Sequence, residues 1–156
     1  MSKNVFVFSR PSPEHQQRLS RISIGSGQMT GKGLFQDNYW YVPKMHNDFI
    51  FSFIGQALGF IGALAVVGLL LAVCIRSIHT AVTALDPLGT YICYGFFAMI
   101  FFQCALNIGM CLSVLPVIGV TLPLLSSGGS SVLITYLGIG LVLSVWTHRR
   151  KALFYD

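Results

Sequence analysis

The chain has 156 residues, of which 54% are hydrophobic and only 10% are charged, whereas a soluble domain carries about 25% charged residues. No Asp, Glu, Lys or Arg occurs from Phe49 to Ile75 or from Pro87 to Thr147. A water-soluble fold cannot bury uncharged runs of this length, so a soluble enzyme, a nucleic-acid-binding domain and a disordered tail are excluded. The net charge of +5 then reflects basic residues beside membrane spans rather than a nucleic-acid partner.

In chain order, a polar segment of residues 1–48 comes first. Its glycines cluster at Gly25–Gly27 and Gly31–Gly33, and such clusters predict turns rather than a long helix. The aromatic run Tyr39–Tyr41 follows and is typical of a membrane interface. Residues 1–48 are therefore predicted to be a loop segment that leads into the first membrane span.

Three apolar stretches predict transmembrane helices at about residues 49–75, 91–115 and 130–147. The first is long enough to rise about 40 Å, which crosses a hydrocarbon core of about 30 Å with some tilt. The polar stretch Arg76–Thr90 ends in an Asp-Pro-Leu-Gly sequence and predicts a short loop between the first two spans.

Small and polar residues inside these spans predict how they pack. Gly55, Gly59 and Ala63 recur at every fourth position of the first span, and such a ridge lets another helix approach closely. Gln103 and Asn107 lie four residues apart in the second span. Because amides at that depth need hydrogen-bond partners, their face is predicted to look towards protein.

The four cysteines are predicted to be packing residues. All lie in apolar stretches, and the second span offers them no histidine or carboxylate as a fellow metal ligand. Small residues of this kind commonly pack helix against helix. The cysteines are Cys74, Cys93, Cys104 and Cys111.

The stretch Pro116–Gly129 between the second and third spans carries no charge, although two prolines and three glycines interrupt it. Broken backbone at membrane depth survives where protein or a watery cavity surrounds it. A re-entrant or buried segment is therefore predicted, with a tight apolar connection as the alternative. The predicted fold is all-α: a polytopic integral membrane protein with a loop segment over residues 1–48 and a three-span transmembrane region over residues 49–156.

Basic residues near the span ends predict the orientation. Arg76 and the run Arg149–Lys151 would face the cytoplasm, which places the C-terminus there and His46–Asp48 on the outer face. An isolated chain would then have to export a polar tail with six positive charges and no signal peptide. The chain is therefore expected to be the C-terminal piece of a larger protein.

Several short motifs then stand in a recognisable order. In chain order they are Ile24–Gly27 with Gly31–Gly33, His46–Phe51 with Gly55 and Leu58–Gly62, Asn107–Met110, Leu115–Gly119 and Ser126–Ser131. In order and spacing they resemble the C-terminal part of the SEDS family, the RodA, FtsW and SpoVE type proteins of shape, elongation, division and sporulation. The resemblance covers about residues 18–146 of this chain, and the last third or so of a family member.

This resemblance implies a function in bacterial cell wall synthesis. Family members polymerise peptidoglycan glycan strands from lipid II at the outer face of the cell (inner) membrane, in complex with a transpeptidase, a class B penicillin-binding protein. Other elongation or division machinery is implied as a further partner. Glycosyl transfer needs a base near the acceptor hydroxyl, and the pyrophosphate leaving group needs positive charge or a metal ion. A divalent cation, Mg²⁺ or Mn²⁺, is therefore a candidate cofactor, while no metal-binding residues are assigned.

Asp48 is the candidate catalytic residue. It is the only acidic residue in the sequence within ten positions of a predicted outer span end, and on the family pattern it is the catalytic aspartate. The alternative is an ordinary interfacial carboxylate or a helix N-cap, with Phe49 as the first helical residue. Both can hold, because capping orients a carboxylate.

Other residues are candidates for binding the substrate. His46 would hydrogen-bond to the substrate or to Asp48, or would be a surface histidine. Lys32 and Lys44 would offset phosphate charge, or would be solvated. A further set would line the cavity, with close helix packing as the alternative: Ser126, Gly128, Gly129 and Ser130.

The sequence also departs from the family pattern. Lys44 stands where the family usually has glutamate, and Asn47 stands where it has threonine. Gln56-Ala57 replaces a common pair of glutamates, Thr121 replaces a proline and Ser127 replaces a tyrosine. These changes indicate a divergent member of the family.

Two other functions remain alternatives to the glycosyltransferase. The first is a lipid II transporter (flippase), since the amides of Gln103 and Asn107 and a broken segment would suit a transport path. The second is a non-catalytic scaffold that docks a partner through the ridge at Gly55 and Gly59.

Overall fold

The computed structural model describes residues 12–33 and 48–151, and every regular element in these ranges is an α-helix. The helices are α1 (Pro13–Ser26), α2 (Ile50–Val82), α3 (Pro87–Cys111) and α4 (Gly129–Lys151). Three helices are long and apolar enough to cross a membrane, namely α2, α3 and α4 up to His148. The prediction of an all-α polytopic membrane protein is confirmed.

The three long helices run up, down and up. Gly89 near the start of α3 lies against Val145 near the end of α4. At the opposite end, Asn107 near the end of α3 bonds to the backbone of Asp48, just before α2. The start of α2, the end of α3 and the start of α4 therefore meet at one end of the bundle, which we call the Asp48 end.

The prediction of a polar loop from Arg76 to Thr90 is wrong for most of that stretch. α2 continues to Val82 and α3 already begins at Pro87. The hydroxyls of Ser77 and Thr80 donate to the carbonyls of Val73 and Arg76, four residues earlier. These polar side chains are thus satisfied within the helix. The exposed Arg76 can extend its long side chain towards water.

The boundaries of α3 also differ from the predicted 91–115. The helix starts at Pro87, because proline lacks an N–H that the first turn leaves unpaired anyway. It ends at Cys111, and Ser113 soon after has a positive φ of 60°. α4 starts one residue before the predicted position and continues to Lys151.

The segment between α3 and α4 is irregular, as predicted, and is partly buried. Leu122, Pro123 and Ser126 are buried, whereas Ile118 and Leu124 are exposed. We call residues 112–128 the α3–α4 segment.

The helix α1 was not predicted, since the glycines around Gly25 indicated turns. Ser12 accepts a hydrogen bond from the backbone N–H of His15, and Pro13 occupies the first helical position. This is a regular helix start. The side of α1 that faces the bundle combines the fully buried Ser20 and Ser23 with the half-buried Leu19 and Ile24, so half of its inner positions are polar. The predicted turn is confirmed only from Gly27 onwards.

α2 is broken at Gly59, which has φ 68° and ψ −167°. Before the break, residues 51–57 are buried or half-buried by the rest of the protein. After it, Phe60, Ile61 and Leu64 are each about 60% exposed, as expected of a lipid-facing surface. The stretch 60–82 alone rises about 34 Å, enough to cross a bilayer core.

The break frees four backbone groups that an unbroken helix would pair with one another. Residues 28–33, which we call the strap, bond to all four. The carbonyls of Gln56 and Ala57 accept hydrogen bonds from the N–H groups of Lys32 and Gly33, both at 3.0 Å. The N–H groups of Phe60 and Ile61 donate to the carbonyls of Gln28 and Met29, at 2.9 and 3.2 Å.

The small-residue ridge of α2 is therefore used within the chain. Gly55 lies against Ile24 of α1, and Gly59 lies against Met29 and Gly31 of the strap. The prediction that another helix approaches this ridge closely is confirmed at Gly55, where α1 packs. At Gly59 the neighbour is the backbone of the strap rather than a helix.

Replacing Gly59 with alanine tests the break. Gly59→Ala should lower the free energy of unfolding by more than about 2 kcal/mol, because its φ and ψ lie in a region that is nearly exclusive to glycine. A β-carbon there would also lie 2.7 Å from the backbone carbonyl of Met29. Unfolding in detergent, followed by circular dichroism, measures the change.

Gly68→Ala is the matched control in the same helix, since a β-carbon there would meet no atom within 4 Å. This variant should be neutral, or stabilised by up to about 1 kcal/mol. Equal stability of the two variants would show that α2 is not broken at Gly59.

Candidate functional site at the Asp48 end

Asp48 lies in the turn before α2, and its side chain is partly exposed. Phe49, fully buried beside it, is the N-cap residue of α2, and no side chain caps this helix. The alternative in which Asp48 caps the first span is therefore wrong, because the helix begins one residue later than that role requires. The carboxylate of Asp48 stays available for other contacts.

The carboxylate of Asp48 lies close to the α3–α4 segment. A β-carbon on Gly119 would be 3.6 Å from the Oδ2 atom of Asp48. Gly119 has φ +74°, a left-handed conformation that favours glycine. The backbone of the segment can therefore pass beside the carboxylate without a side chain between them.

Asn107 of α3 joins Asp48 to this segment. Its Nδ2 atom donates to the backbone carbonyl of Asp48 at 2.8 Å and to that of Val120 at 2.6 Å. An amide nitrogen carries two hydrogens, so both are used. Asn107 is fully buried, and the predicted protein-facing orientation of its side chain is confirmed.

The same segment reaches α4. The hydroxyl of Thr121 donates to the hydroxyl of Ser131 at 2.8 Å. The carbonyl of Gly128 accepts the backbone N–H of Val132 at 3.0 Å, as the residue before a helix does. Asp48 and the start of α4 are thus connected through residues 119–121.

α1 holds this end together from the other side. The Ser20 hydroxyl donates to the carbonyl of Cys111 at 2.8 Å and is also hydrogen-bonded to the Ser52 hydroxyl. The Gln17 side chain donates to the carbonyl of Leu115 at 2.6 Å. The last carbonyls of a helix have no partner within it, and α1 provides partners where α3 ends.

A second buried pair joins α1 to α2. The Ser23 hydroxyl donates to the Oε1 atom of Gln56 at 2.7 Å, and both residues are fully buried. The Nε2 atom of Gln56 has no hydrogen-bond partner among the described residues. Gln56 stands where the family pattern has a glutamate, so the serine contact fits an amide or a carboxylate oxygen equally.

The predicted substrate-binding residues are distributed over two places. Lys32 lies in the strap, half-buried, and its backbone N–H is bonded to Gln56. Four others lie where the α3–α4 segment meets α4. Ser126 is buried and Gly128 is half-buried at the end of the segment, and Gly129 and Ser130 are exposed at the start of α4. His46 and Lys44 lie outside the described residues.

The sequence did not single out every residue that shapes this end. Asn107 was expected to face protein, but its two carbonyl partners were not predicted. Gly119 and the serines of α1 were not predicted to take part. Pro and Gly in the α3–α4 segment were the available signal for Gly119, whereas Ser20 and Ser23 gave none.

The four cysteines fit their predicted packing role. Cys74, Cys93 and Cys111 are buried, and all four are free thiols. Within residues 12–33 and 48–151, no group of three or more His, Cys, Asp or Glu side chains lies close enough to hold a metal ion.

Comparison with known proteins identifies the family. The model of the FtsW, RodA and SpoVE family, described as cell cycle protein, matches residues 3–151. The chain belongs to this family. Among its relatives, the peptidoglycan glycosyltransferase MrdB of Escherichia coli K12 is 37% identical over 134 residues, which are 84% of this chain. The stage V sporulation protein E of Bacillus subtilis 168 is 36% identical over 133 residues, again 84% of this chain.

A solved structure agrees with this assignment to the SEDS family. One chain of a peptidoglycan synthase complex, described as coordinating polymerization and crosslinking, is similar with a TM-score of 0.71 and 31% identity. The similarity covers 90% of this chain and 38% of that one. The chain spans about 36% of the length of the curated relatives named above.

Replacing Gly119 with alanine tests the geometry beside Asp48. Gly119→Ala should lower the free energy of unfolding by about 1–2 kcal/mol, because an L-residue is strained at positive φ. Gly95→Ala in α3 is the control, since a β-carbon there would meet no atom within 4 Å. Denaturant titration in detergent compares the two. A Gly119→Ala protein as stable as the control would contradict the left-handed turn beside Asp48.

Proposed function

We propose that the polypeptide carrying this chain polymerises peptidoglycan glycan strands from lipid II. Membership of the SEDS family and its similarity to the peptidoglycan glycosyltransferase MrdB support this activity. The observation that carries the proposal is the position of Asp48. Its backbone is anchored by Asn107, and its carboxylate lies beside Gly119 at the end of the bundle where α4 begins.

In the proposed reaction, Asp48 is the general base. A sugar hydroxyl oxygen attacks the anomeric carbon of a second, lipid-linked sugar, and its proton passes to the carboxylate of Asp48. The bond from that carbon to the lipid pyrophosphate breaks, and the pyrophosphate leaves with the bonding electrons. Because pyrophosphate is already a good leaving group, a second carboxylic acid is not required, unlike in most glycoside hydrolysis.

The remaining candidates are assigned to binding. Lys32 and Lys44 would offset the charge of the pyrophosphate, and His46 would hydrogen-bond to the substrate or to Asp48. Ser126, Gly128, Gly129 and Ser130 would line the cavity at the start of α4. A Mg²⁺ or Mn²⁺ ion would supply positive charge against that of the pyrophosphate.

We further propose that the Asp48 end faces the outside of the bacterial inner membrane. Arg76 near the end of α2 and the basic run Arg149–Lys151 in the last turn of α4 support this orientation, as does the chemistry, because the wall lies outside. A class B penicillin-binding protein and other elongation or division proteins are the proposed partners. The similarity to a chain of a peptidoglycan synthase complex supports such an assembly.

The transport alternative is less well supported by the geometry. Asn107 was one of two amides proposed to line a path, but both of its donated hydrogens are already used by carbonyls of the protein. The scaffold alternative loses its docking ridge, since α1 and the strap occupy Gly55 and Gly59.

Removing the base should abolish polymerisation. The polypeptide that carries this chain is purified with its penicillin-binding partner, and strand formation from lipid II is followed on gels. Asp48→Asn and Asp48→Ala should each lower the rate by about 100-fold or more, as the loss of general base catalysis predicts.

Asp86→Asn is the matched control for this experiment, because Asp86 is an exposed aspartate at the other end of α2. It should keep the full rate. Unchanged polymerisation by both Asp48 variants would refute the proposal. Lipid II crossing vesicles without strand synthesis would favour the transporter.

Labelling tests the proposed orientation. Single cysteines are introduced at the exposed positions Ser130 and Leu85, in a variant of the polypeptide from which every native cysteine has been removed. A membrane-impermeant maleimide added to intact spheroplasts should label Ser130→Cys and should spare Leu85→Cys until the membrane is permeabilised. The reverse pattern would place Asp48 in the cytoplasm and contradict the proposal.

A further inference from the structure

We infer that Asn107 is a positioning residue for Asp48: its amide fixes the backbone that carries the base and the backbone segment that lies beside it. This inference rests on the proposed function. Asn107 does not need to touch the substrate for this role, because it acts through the carbonyls of Asp48 and Val120.

The bonding of Asn107 is complete on its donor side. The Nδ2 atom donates one hydrogen to each of two carbonyls, at 2.8 and 2.6 Å, from a fully buried position. These carbonyls belong to stretches that lie outside any helix, one before α2 and one between α3 and α4. One side chain therefore sets the distance between two irregular pieces of backbone.

The surroundings make these two bonds important. A buried carbonyl costs about 1–3 kcal/mol when its partner is removed, and the fully buried Asn107 lies out of reach of solvent that could replace it. Asp48 is not held by a helix or by a capping bond of its own. If the Asn107 side chain is removed, the carbonyls of Asp48 and Val120 lose their hydrogen-bond donor. The two backbone segments are then no longer held together, and the carboxylate moves relative to Gly119.

A second amide on the same face of α3 shows that the position of the amide matters as well as its chemistry. Gln103 lies one helical turn before Asn107, and its Oε1 atom is buried without a hydrogen-bond partner among the described residues. The same helix thus offers two amides of similar chemistry, and the one at position 107 joins Asp48 to the α3–α4 segment. Gln103 is therefore a matched control for Asn107.

The first experiment compares Asn107→Leu with Gln103→Leu. Both remove an amide from α3, but only Asn107→Leu should impair catalysis. We expect kcat for lipid II polymerisation to fall by about 10- to 100-fold, since a misplacement of about 1 Å can cost 100-fold. KM should stay within about twofold, because the groups proposed to bind the substrate are unchanged. Gln103→Leu should keep both constants within about twofold.

A double-mutant cycle separates positioning from general damage. In an Asp48→Asn background, Asn107→Leu should lower the residual rate by less than about twofold, because there is no longer a base to position. If Asn107 only supports the fold, the two losses should multiply. Multiplying losses would overturn the inference.

A second variant and a binding measurement control for the loss of folded protein. Asn107→Asp keeps the shape of the side chain but cannot donate two hydrogens, and it should also lower kcat. Lipid II binding stoichiometry gives the folded fraction of each variant, and rates are expressed per folded molecule. If both variants fail to fold, Asn107 holds the fold rather than the base, and the inference is overturned.

The outcomes also distinguish this inference from the proposed function. Full activity of Asp48→Asn would refute the function, whatever Asn107 does. Loss of activity in Asp48→Asn together with a normal kcat in Asn107→Leu would refute the inference alone. A lowered kcat with an unchanged KM, absent in the Asp48→Asn background, would support both.

Discussion

A backbone that stops being helical where protein buries it must find partners for every N–H and C=O group it releases, because a buried polar group left unpaired costs free energy. In this protein the break at Gly59 releases two carbonyls and two N–H groups, and the strap of residues 28–33 bonds to all four. The strap follows directly from α1, so its docking also fixes where α1 lies. The rest of the Asp48 end is built on this junction.

From the junction, polar contacts continue to the other helix ends. Serines of α1 reach the start of α2 and the last carbonyl of α3, and a glutamine of α1 reaches the α3–α4 segment at Leu115. Asn107 then joins the end of α3 to Asp48 and to the α3–α4 segment. Although α1 is polar in sequence, it therefore packs against the membrane-spanning helices and hydrogen-bonds to them, and it is not a loop that only covers their ends. This explains why Ser20 and Ser23 are fully buried.

Much of the fold follows from the sequence because membrane spans leave a strong signal. Uncharged runs located all three spans, and the prolines of the α3–α4 segment indicated irregular backbone. The boundary at Arg76 was wrong, since a charge marks where a side chain reaches water and not where hydrogen bonding along the helix stops. The helix α1 was missed because its glycines indicated turns and because two serines, Ser20 and Ser23, take fully buried positions on its inner face, where hydrophobic periodicity does not register them.

The site was predictable to a smaller extent. Asp48 was chosen as the candidate site residue from its position at a span end and from its motif, both of which are local in sequence. Its relation to Asn107 and Gly119 depends on how distant segments pass each other, and no local pattern encodes that path. Gly59 illustrates the same limit: its spacing from Gly55 and Ala63 suggested a packing ridge in a regular helix, whereas its positive φ shows a break.

Hydrogen–deuterium exchange at single-residue resolution tests the junction most directly. In the protein embedded in lipid nanodiscs, the amide protons of Lys32, Gly33, Phe60 and Ile61 should exchange slowly and should become fast together when Gly31, which lies against Gly59 at φ +79°, is replaced with valine. Slow exchange of Phe60 and Ile61 beside fast exchange of Lys32 and Gly33 in the unaltered protein would contradict the account, because it would mean that α2 pairs its own backbone and that the strap lies elsewhere.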